Sequence, residues 1–189
     1  MPEIIPNWHP IFVHFTLGLF SAATGFYVVF YLFKHTQMRS KKVEELEIAA
    51  RWCLWSSGFI TIVTVAAGLY AFNTVKHDGI SHIAMMTHRN WALPTAILII
   101  ALAIWSGWNH FKQQQTLTHL FLISLIITQA LLFTTALYGG EMVYRYGIGV
   151  QSLPQTEKFN HHHFEMTIEN PPEPKPQHLH SPNTSNEGN

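Results

Sequence analysis

Four long runs of apolar residues dominate this chain, and none of them contains Asp, Glu, Lys or Arg. They cover residues 11–33, 52–75, 91–108 and 117–138. An α-helix of about 20 apolar residues is long enough to cross the hydrocarbon core of a bilayer. Charged residues make up only 12% of the chain, whereas a typical soluble domain has about 25%. The sequence therefore predicts an all-α fold, an integral membrane four-helix bundle.

The predicted four-span domain covers residues 1–152, and a tail follows it. Its helices are expected at about 10–34, 52–75, 82–109 and 117–139. Gly139-Gly140 is expected to end or loosen the fourth helix. From residue 153 the composition shifts to Pro, Glu, Asn, Gln and Ser, which cannot bury enough apolar surface to fold alone. Residues 153–189 are therefore predicted to be a disordered polar tail. No internal repeat is visible in the sequence.

The basic residues are distributed unevenly between the two ends of the predicted bundle. Four crossings place both termini on one side. The two loops on the opposite side carry Lys34, Arg39, Lys41, Lys42, Arg51 and Lys112, whereas Lys76, Arg89 and Arg145 lie near the spans on the side of the termini. Because Lys and Arg favour cytoplasmic loops, we expect a multi-pass protein of the bacterial inner (cytoplasmic) membrane with both termini periplasmic. The formal net charge is zero, which gives no electrostatic case for a nucleic-acid partner.

Two histidines enter predicted spans from the side of the termini. An ionisable side chain inside a membrane helix is a functional-site candidate. His14 in the first helix and His88 in the third are expected at similar depth, on helices that can be diagonal partners in a four-helix bundle. Two imidazoles facing each other in this way can ligate haem iron axially. Gly18 would leave room for the flat macrocycle or for a neighbouring helix, and Arg89 could pair with a haem propionate. The sequence thus predicts a haem b site at His14, His88, Gly18 and Arg89.

Residue type alone leaves other uses of these histidines open. His14 and His88 could be polar ties between helices. Together with His9 and His82, a shallower pair, they could bind copper or zinc, because imidazole suits all of these metals. His161-His162-His163 either binds a divalent cation weakly or belongs to a solvated tail. No nucleophile–base arrangement accompanies Glu141, a candidate proton donor, so no catalytic residue is assigned.

Two short motifs resemble those of a known family. They are His9-Pro10-x-x-Val13-His14-Phe15-x-x-Gly18 and Gly139-Gly140-x-x-Val143-Tyr144. Both resemble a bacterial family of four-span membrane proteins, domain of unknown function 2231, over about residues 7–152. Thr16 stands where many relatives have Pro. The resemblance implies a four-span membrane fold with a cluster of histidines facing the periplasm, and it implies no function.

The expected function is electron transfer in the membrane. A b-type haem between the first and third helices, near the periplasmic face, would exchange electrons with a periplasmic cytochrome or a quinone. In that case the protein is at most an electron-transfer component and not an enzyme in its own right. The alternative is a non-redox membrane subunit whose histidines are structural or bind copper or zinc.

Overall fold

A computed structural model of the protein describes residues 8–33, 41–75, 79–114 and 118–150. It contains four helices: α1 (His9–Phe33), α2 (Lys41–Thr74), α3 (Gly79–Phe111) and α4 (His119–Tyr146). No strand occurs in these four described stretches, so the predicted all-α fold is confirmed. The predicted disordered tail, residues 153–189, and its three adjacent histidines lie outside the described residues.

Two helices are longer than the apolar runs suggested. α2 begins at Lys41 instead of near residue 52, because its first turns form an amphipathic helix that buries Val43 and Ala50. α4 continues through Gly139-Gly140 to Tyr146. A glycine within a helix costs only about 1 kcal/mol relative to alanine, so packing against neighbouring helices can keep both glycines helical.

The ends of α4 carry sequence-coded caps. The Thr118 side chain accepts a hydrogen bond from the Phe121 backbone N–H at 3.2 Å and so pairs one free donor of the first turn. At the other end Gly147 adopts a left-handed conformation with φ of 61°, which residues with a Cβ rarely adopt. Its N–H donates to the Val143 carbonyl at 3.0 Å. Gly147, and not the earlier glycine pair, therefore ends the helix.

The helices form an antiparallel ring in which each packs against two neighbours. α1 and α3 both pack against α2 and α4, which leaves α1 and α3 diagonal across the core, the arrangement that the sequence allowed. His9 at the start of α1 lies against Gly68 near the end of α2, and His88 of α3 lies against Gly139 near the end of α4. Neighbouring helices therefore run in opposite directions.

A cluster of apolar side chains fills the centre of the bundle. It consists of Phe20, Ala23, Tyr27, Ala50, Leu54, Ile99, Leu102, Phe121, Leu125 and Leu132. Phe121 of α4 receives two aromatic rings edge to face, that of Tyr27 at 5.4 Å and that of Trp105 at 5.3 Å between centroids. Aromatic pairs favour this geometry because the positive ring edge meets the negative ring face. One aromatic group therefore joins α1, α3 and α4.

The outer surface of the bundle is apolar. All four helices are long and apolar enough to cross a membrane by length and composition. Large side chains such as Phe59, Ile97 and Leu137 are each at least 65% exposed. A soluble monomer rarely exposes continuous apolar surface on this scale. The protein is therefore a four-span membrane protein whose outer surface contacts the lipid bilayer.

The closest approach of α2 and α3 generates a prediction about stability. A Cβ at Gly58 would lie 2.6 Å from the Ala103 Cβ, and neither side chain has a flexible end that could move away. We expect Gly58→Ala to force the two helices apart and to destabilise the protein by about 1–3 kcal/mol. The measurement is the thermal unfolding midpoint in detergent, followed by circular dichroism.

Gly18→Ala is the matched control, because a Cβ there has open space around it. Its midpoint should stay the same or rise slightly, since alanine favours the helix over glycine. Equal midpoints for the two variants would contradict the proposed close packing at Gly58.

Candidate functional site

Two imidazole rings meet across the bundle at the end where α1 begins. His9 comes from α1 and His88 from the diagonal helix α3. Their ring centroids are 6.4 Å apart and their planes are inclined at 78°. Both residues are half-buried. We call His9 and His88 the histidine pair.

The neighbouring helix α2 determines the position of the His9 ring. Its Nδ1 lies 3.0 Å from the Thr64 backbone carbonyl. Because a carbonyl only accepts hydrogen bonds, Nδ1 must be the protonated nitrogen, and the lone pair of the neutral ring is then on Nε2. One turn further along α2, a Cβ at Gly68 would lie 2.9 Å from the ring. A glycine at this position therefore allows the imidazole to lie directly against α2.

His88 is held by α4 in the same way. Its Nδ1 donates to the Thr135 carbonyl at 3.1 Å. A Cβ at Gly139, one turn later, would lie 3.3 Å from the ring. The same tautomer follows, so the lone pair of His88 is also on Nε2. Both members of the pair are thus oriented by a backbone carbonyl and a glycine of the next helix.

A pair of threonine hydroxyls lies below each histidine. The Thr16 and Thr64 hydroxyl oxygens are 2.8 Å apart, and those of Thr95 and Thr135 are 3.2 Å apart. Each contact joins a histidine-bearing helix to the helix whose carbonyl accepts from that histidine. These hydroxyl contacts hold the helix pairs in the register that the imidazole hydrogen bonds need.

These matching contacts reveal an internal repeat that the sequence analysis did not find. The numbering offset from α1 to α3 is 79 for both the histidines (9 to 88) and the threonines (16 to 95). From α2 to α4 the offset is 71 for both the threonines (64 to 135) and the glycines (68 to 139). Buried positions follow the same offsets: Phe20 with Ile99, Ala23 with Leu102, Ala50 with Phe121, and Leu54 with Leu125. The α1–α2 and α3–α4 halves are therefore related by an approximate two-fold axis along the bundle.

The repeat was hard to find because few side chains are shared between the halves. The common signal is a His-x6-Thr spacing in the first helix of each half and a Thr-x3-Gly spacing in the second. Both patterns are too short to stand out among apolar residues. Of the four buried pairs, only Leu54 and Leu125 share the same side chain, because a packed core selects volume and shape more than identity.

The sequence predicted that His88 faces His14. In the structure the ring beside His88 is that of His9. His14 is exposed, and its Nδ1 donates to the Pro10 carbonyl of its own helix. Five residues turn an α-helix by about 500°, so His14 points about 140° away from His9. Gly18 shares the exposed side of α1 with His14. Depth along the helix was therefore an insufficient guide to which histidine faces the axis.

Two other predicted site residues, His82 and Arg89, pack against Phe72. His82 is exposed, and its ring packs against that of Phe72 with 5.8 Å between centroids. The Arg89 guanidinium carbon lies 5.1 Å from the centre of the same Phe72 ring. Within the described residues, no group of three or more His, Cys, Asp or Glu is placed to hold a metal ion. Glu141 forms a 2.9 Å ion pair with Arg145 on the surface of α4.

Comparison with known families agrees with this architecture. Residues 6–152 match a family described as "predicted membrane protein (DUF2231)". The chain belongs to this family. The match contains all four helices and both members of the histidine pair. No curated protein and no solved structure matches the chain.

The glycines beside the histidine pair give a prediction. We expect Gly68→Ala to push the His9 ring away from the Thr64 carbonyl, because the new Cβ would lie 2.9 Å from two ring atoms. Loss of this hydrogen bond should cost about 1–3 kcal/mol. The measurements are the ring nitrogen NMR signals of protein labelled with ¹⁵N-histidine and the thermal unfolding midpoint. Gly139→Ala should have a smaller effect, since the gap there is 3.3 Å.

Gly140→Ala serves as the control for both variants. It changes the neighbouring residue of α4, where a Cβ meets no other atom. Unchanged His9 ring signals in Gly68→Ala would show that this glycine does not position the ring.

Proposed function

We propose that the protein transfers electrons in the membrane, and that His9 and His88 would hold a b-type haem that supplies this one-electron chemistry. The spacing of the histidine pair carries this proposal. Metal–imidazole bonds are about 2.1 Å long and the ring centre lies about 1 Å behind the bonding nitrogen, so imidazoles on opposite sides of one metal have centres roughly 6 Å apart. The observed 6.4 Å between the ring centroids is close to the spacing of two imidazoles that share one metal, and two histidines hold the iron of a b-type haem in this way.

The hydrogen bonds of the pair also support a ligand role. A metal-binding histidine usually donates its second ring N–H to a carbonyl or carboxylate, which fixes the tautomer and the direction of the ring. Thr64 and Thr135 supply such carbonyls. Both imidazoles therefore have the tautomer that a metal needs before any metal binds.

The proposed location is the bacterial inner membrane, with the histidine pair near the periplasmic face. The support is the distribution of charge, because most loop Lys and Arg residues lie at the opposite end of the bundle. A periplasmic cytochrome or a membrane quinone would then be the electron partner. A haem in this position supplies one-electron chemistry, and the protein residues provide orientation and exclude water.

A non-redox role is the second candidate, and one observation favours it. The hydrogen bonds of His9 and His88 each connect two helices. Polar residues with a purely structural role form such interhelical hydrogen bonds in membrane bundles. In this reading the protein is a membrane subunit whose histidines are structural or bind a copper or zinc ion. The described residues would supply only two protein ligands to such an ion.

Visible spectroscopy tests the haem proposal. Protein purified in detergent from haem-supplied cells is expected to show sharp bands in its reduced-minus-oxidised spectrum. His9→Ala and His88→Ala should each lower the haem content by about tenfold or more, because each removes an axial ligand. His14→Ala and His82→Ala are the matched controls, and both should keep the wild-type spectrum.

Three results would count against the proposal. A colourless protein containing copper or zinc, measured by elemental analysis, would favour the metal alternative. A colourless and metal-free protein would favour structural histidines. Loss of the spectrum in His14→Ala but not in His9→Ala would show that the ligand assignment is wrong.

The proposed orientation has its own test in intact bacterial cells. Two single-cysteine variants, Tyr144→Cys and Gln114→Cys, are made in a Cys53→Ser background. Tyr144 lies at the end of α4 near the histidine pair, and Gln114 lies just beyond the end of α3 at the opposite end of the bundle. Both positions are exposed. A membrane-impermeant maleimide should label position 144 in intact cells, and position 114 only after the membrane is opened. The reverse pattern would place the histidine pair on the cytoplasmic side.

A further inference from the structure

The two-fold relation makes one departure from symmetry visible at the middle of the bundle. The α2–α3 interface and the α4–α1 interface are equivalent in the repeat. Gly58 of α2 packs closely against Ala103 of α3. At the offsets of 71 and 79, the equivalent residues are Gln129 of α4 and Thr24 of α1. Two of the smallest residues at the α2–α3 interface thus correspond to two larger polar residues at the α4–α1 interface. α1 and α4 also pack together less extensively than α2 and α3.

The polar groups at the α4–α1 interface are only partly paired. The Gln129 side chain reaches α1 and donates from Nε2 to the Ser21 hydroxyl at 3.0 Å. The Gln129 Oε1 atom and the Thr24 hydroxyl are both buried and have no hydrogen-bond partner in the described part of the chain. The Thr24 residue is only 7% exposed. Inside a membrane no water is available to form hydrogen bonds with such groups, so it costs free energy to leave them unpaired. A ligand that supplies both a donor and an acceptor would remove this cost.

Two exposed glycines of α1 lie beside these groups at the outer surface of the bundle. Ser21 is the middle residue of α1. Gly18 and Gly25 lie one turn before and after it, on the same side of the helix. Both glycines are exposed, and neither has an atom near the place of a Cβ. We call the region of Gly18, Ser21, Thr24, Gly25 and Gln129 the α1–α4 slot.

The position of the slot restricts the chemistry of its ligand. The middle of a bilayer is about 15 Å from either edge of the hydrocarbon core, too deep for a phospholipid headgroup. The five slot residues carry no charge, so an ion is poorly matched. A neutral, lipid-soluble molecule that carries carbonyl or hydroxyl groups fits both conditions.

We propose that the α1–α4 slot binds the head ring of a membrane quinone. Because the Thr24 hydroxyl and Gln129 Oε1 are buried, the ring would have to enter between α1 and α4, the neighbouring helices that pack least extensively. The Thr24 hydroxyl would then donate to a quinone carbonyl, and Gln129 Oε1 would accept from a hydroxyl of the quinol form. The absence of side chains at Gly18 and Gly25 leaves space for a flat ring against α1. The choice of a quinone among neutral lipid-soluble molecules rests on the proposed electron-transfer function, whereas the slot itself rests on the unpaired groups and the broken symmetry.

The test measures quinone binding to the full-length protein. Quinone is extracted from purified protein with organic solvent and quantified per chain, and binding of decyl-ubiquinone is measured by titration in detergent. Wild type should bind about one quinone per chain. The double variant Thr24→Ala, Gln129→Ala imitates the apolar α2–α3 interface and should bind at least about tenfold more weakly, the loss expected for removing a buried hydrogen bond. Circular dichroism and gel filtration would verify that it is folded.

Matched controls separate this inference from the haem proposal. Thr134→Ala removes a hydroxyl from the outer surface of α4 that bonds only within its own helix, and it should bind quinone like the wild type. His9→Ala should also keep its quinone, whatever it does to the haem spectrum. If the wild-type protein shows the haem spectrum but binds no quinone, the quinone proposal is wrong and the proposed electron-transfer function is unaffected.

Two further outcomes would overturn the quinone assignment. Equal quinone binding by the wild type and the double variant would mean that quinone only partitions into the detergent micelle. A dimeric wild type that becomes monomeric in the double variant would assign the slot to a second copy of the chain.

Discussion

In a bilayer, every polar group in the hydrocarbon region has to find its partner inside the protein, and this constraint organises the whole bundle. Each fully buried polar residue among those described is Ser or Thr. Five of these ten hydroxyls donate to a carbonyl about one turn earlier in their own helix, as Thr61 does to Ser57 at 2.7 Å. A hydroxyl that is paired within its own helix needs no partner from another helix. The histidine pair, the two threonine pairs below it and Gln129 do bond to another helix, and they therefore mark where the arrangement of the helices matters chemically.

The histidine pair shows how a repeat builds a site on its own symmetry axis. One two-helix unit contributes one imidazole, the carbonyl that orients it and the glycine that makes room for it. Two such units bring two equivalent rings together across the bundle, 6.4 Å apart. The proposed haem, which takes two histidine ligands, would suit such a repeated arrangement. The asymmetry occurs elsewhere, at the α4–α1 interface. Gln129 and Thr24 lie there at the positions equivalent to Gly58 and Ala103, which pack closely at the α2–α3 interface.

Several features were predictable from residue order alone. Four uncharged runs are enough to indicate four spans, since hydrophobic length is a local property. His88 was recognised because an ionisable residue inside a span is rare. The sequence paired it with His14, whereas the structure places the His9 ring beside it. His9 and His14 differ by about 140° around α1, and the sequence does not show which side of a helix faces the axis. Gly68 and Gly139 were seen only as small residues, since their role appears only when a ring from another helix lies beside them.

Membrane insertion, the number of spans and the presence of histidines at one end were thus determined by the sequence itself, because they depend on local hydrophobicity and on counting. The choice of His9 over His14, the two-fold relation of the halves and the unpaired groups of the α1–α4 slot were decided only by the tertiary structure. Each of these depends on the rotation of one helix relative to another. That rotation follows from packing among all four helices, and no single segment contains it.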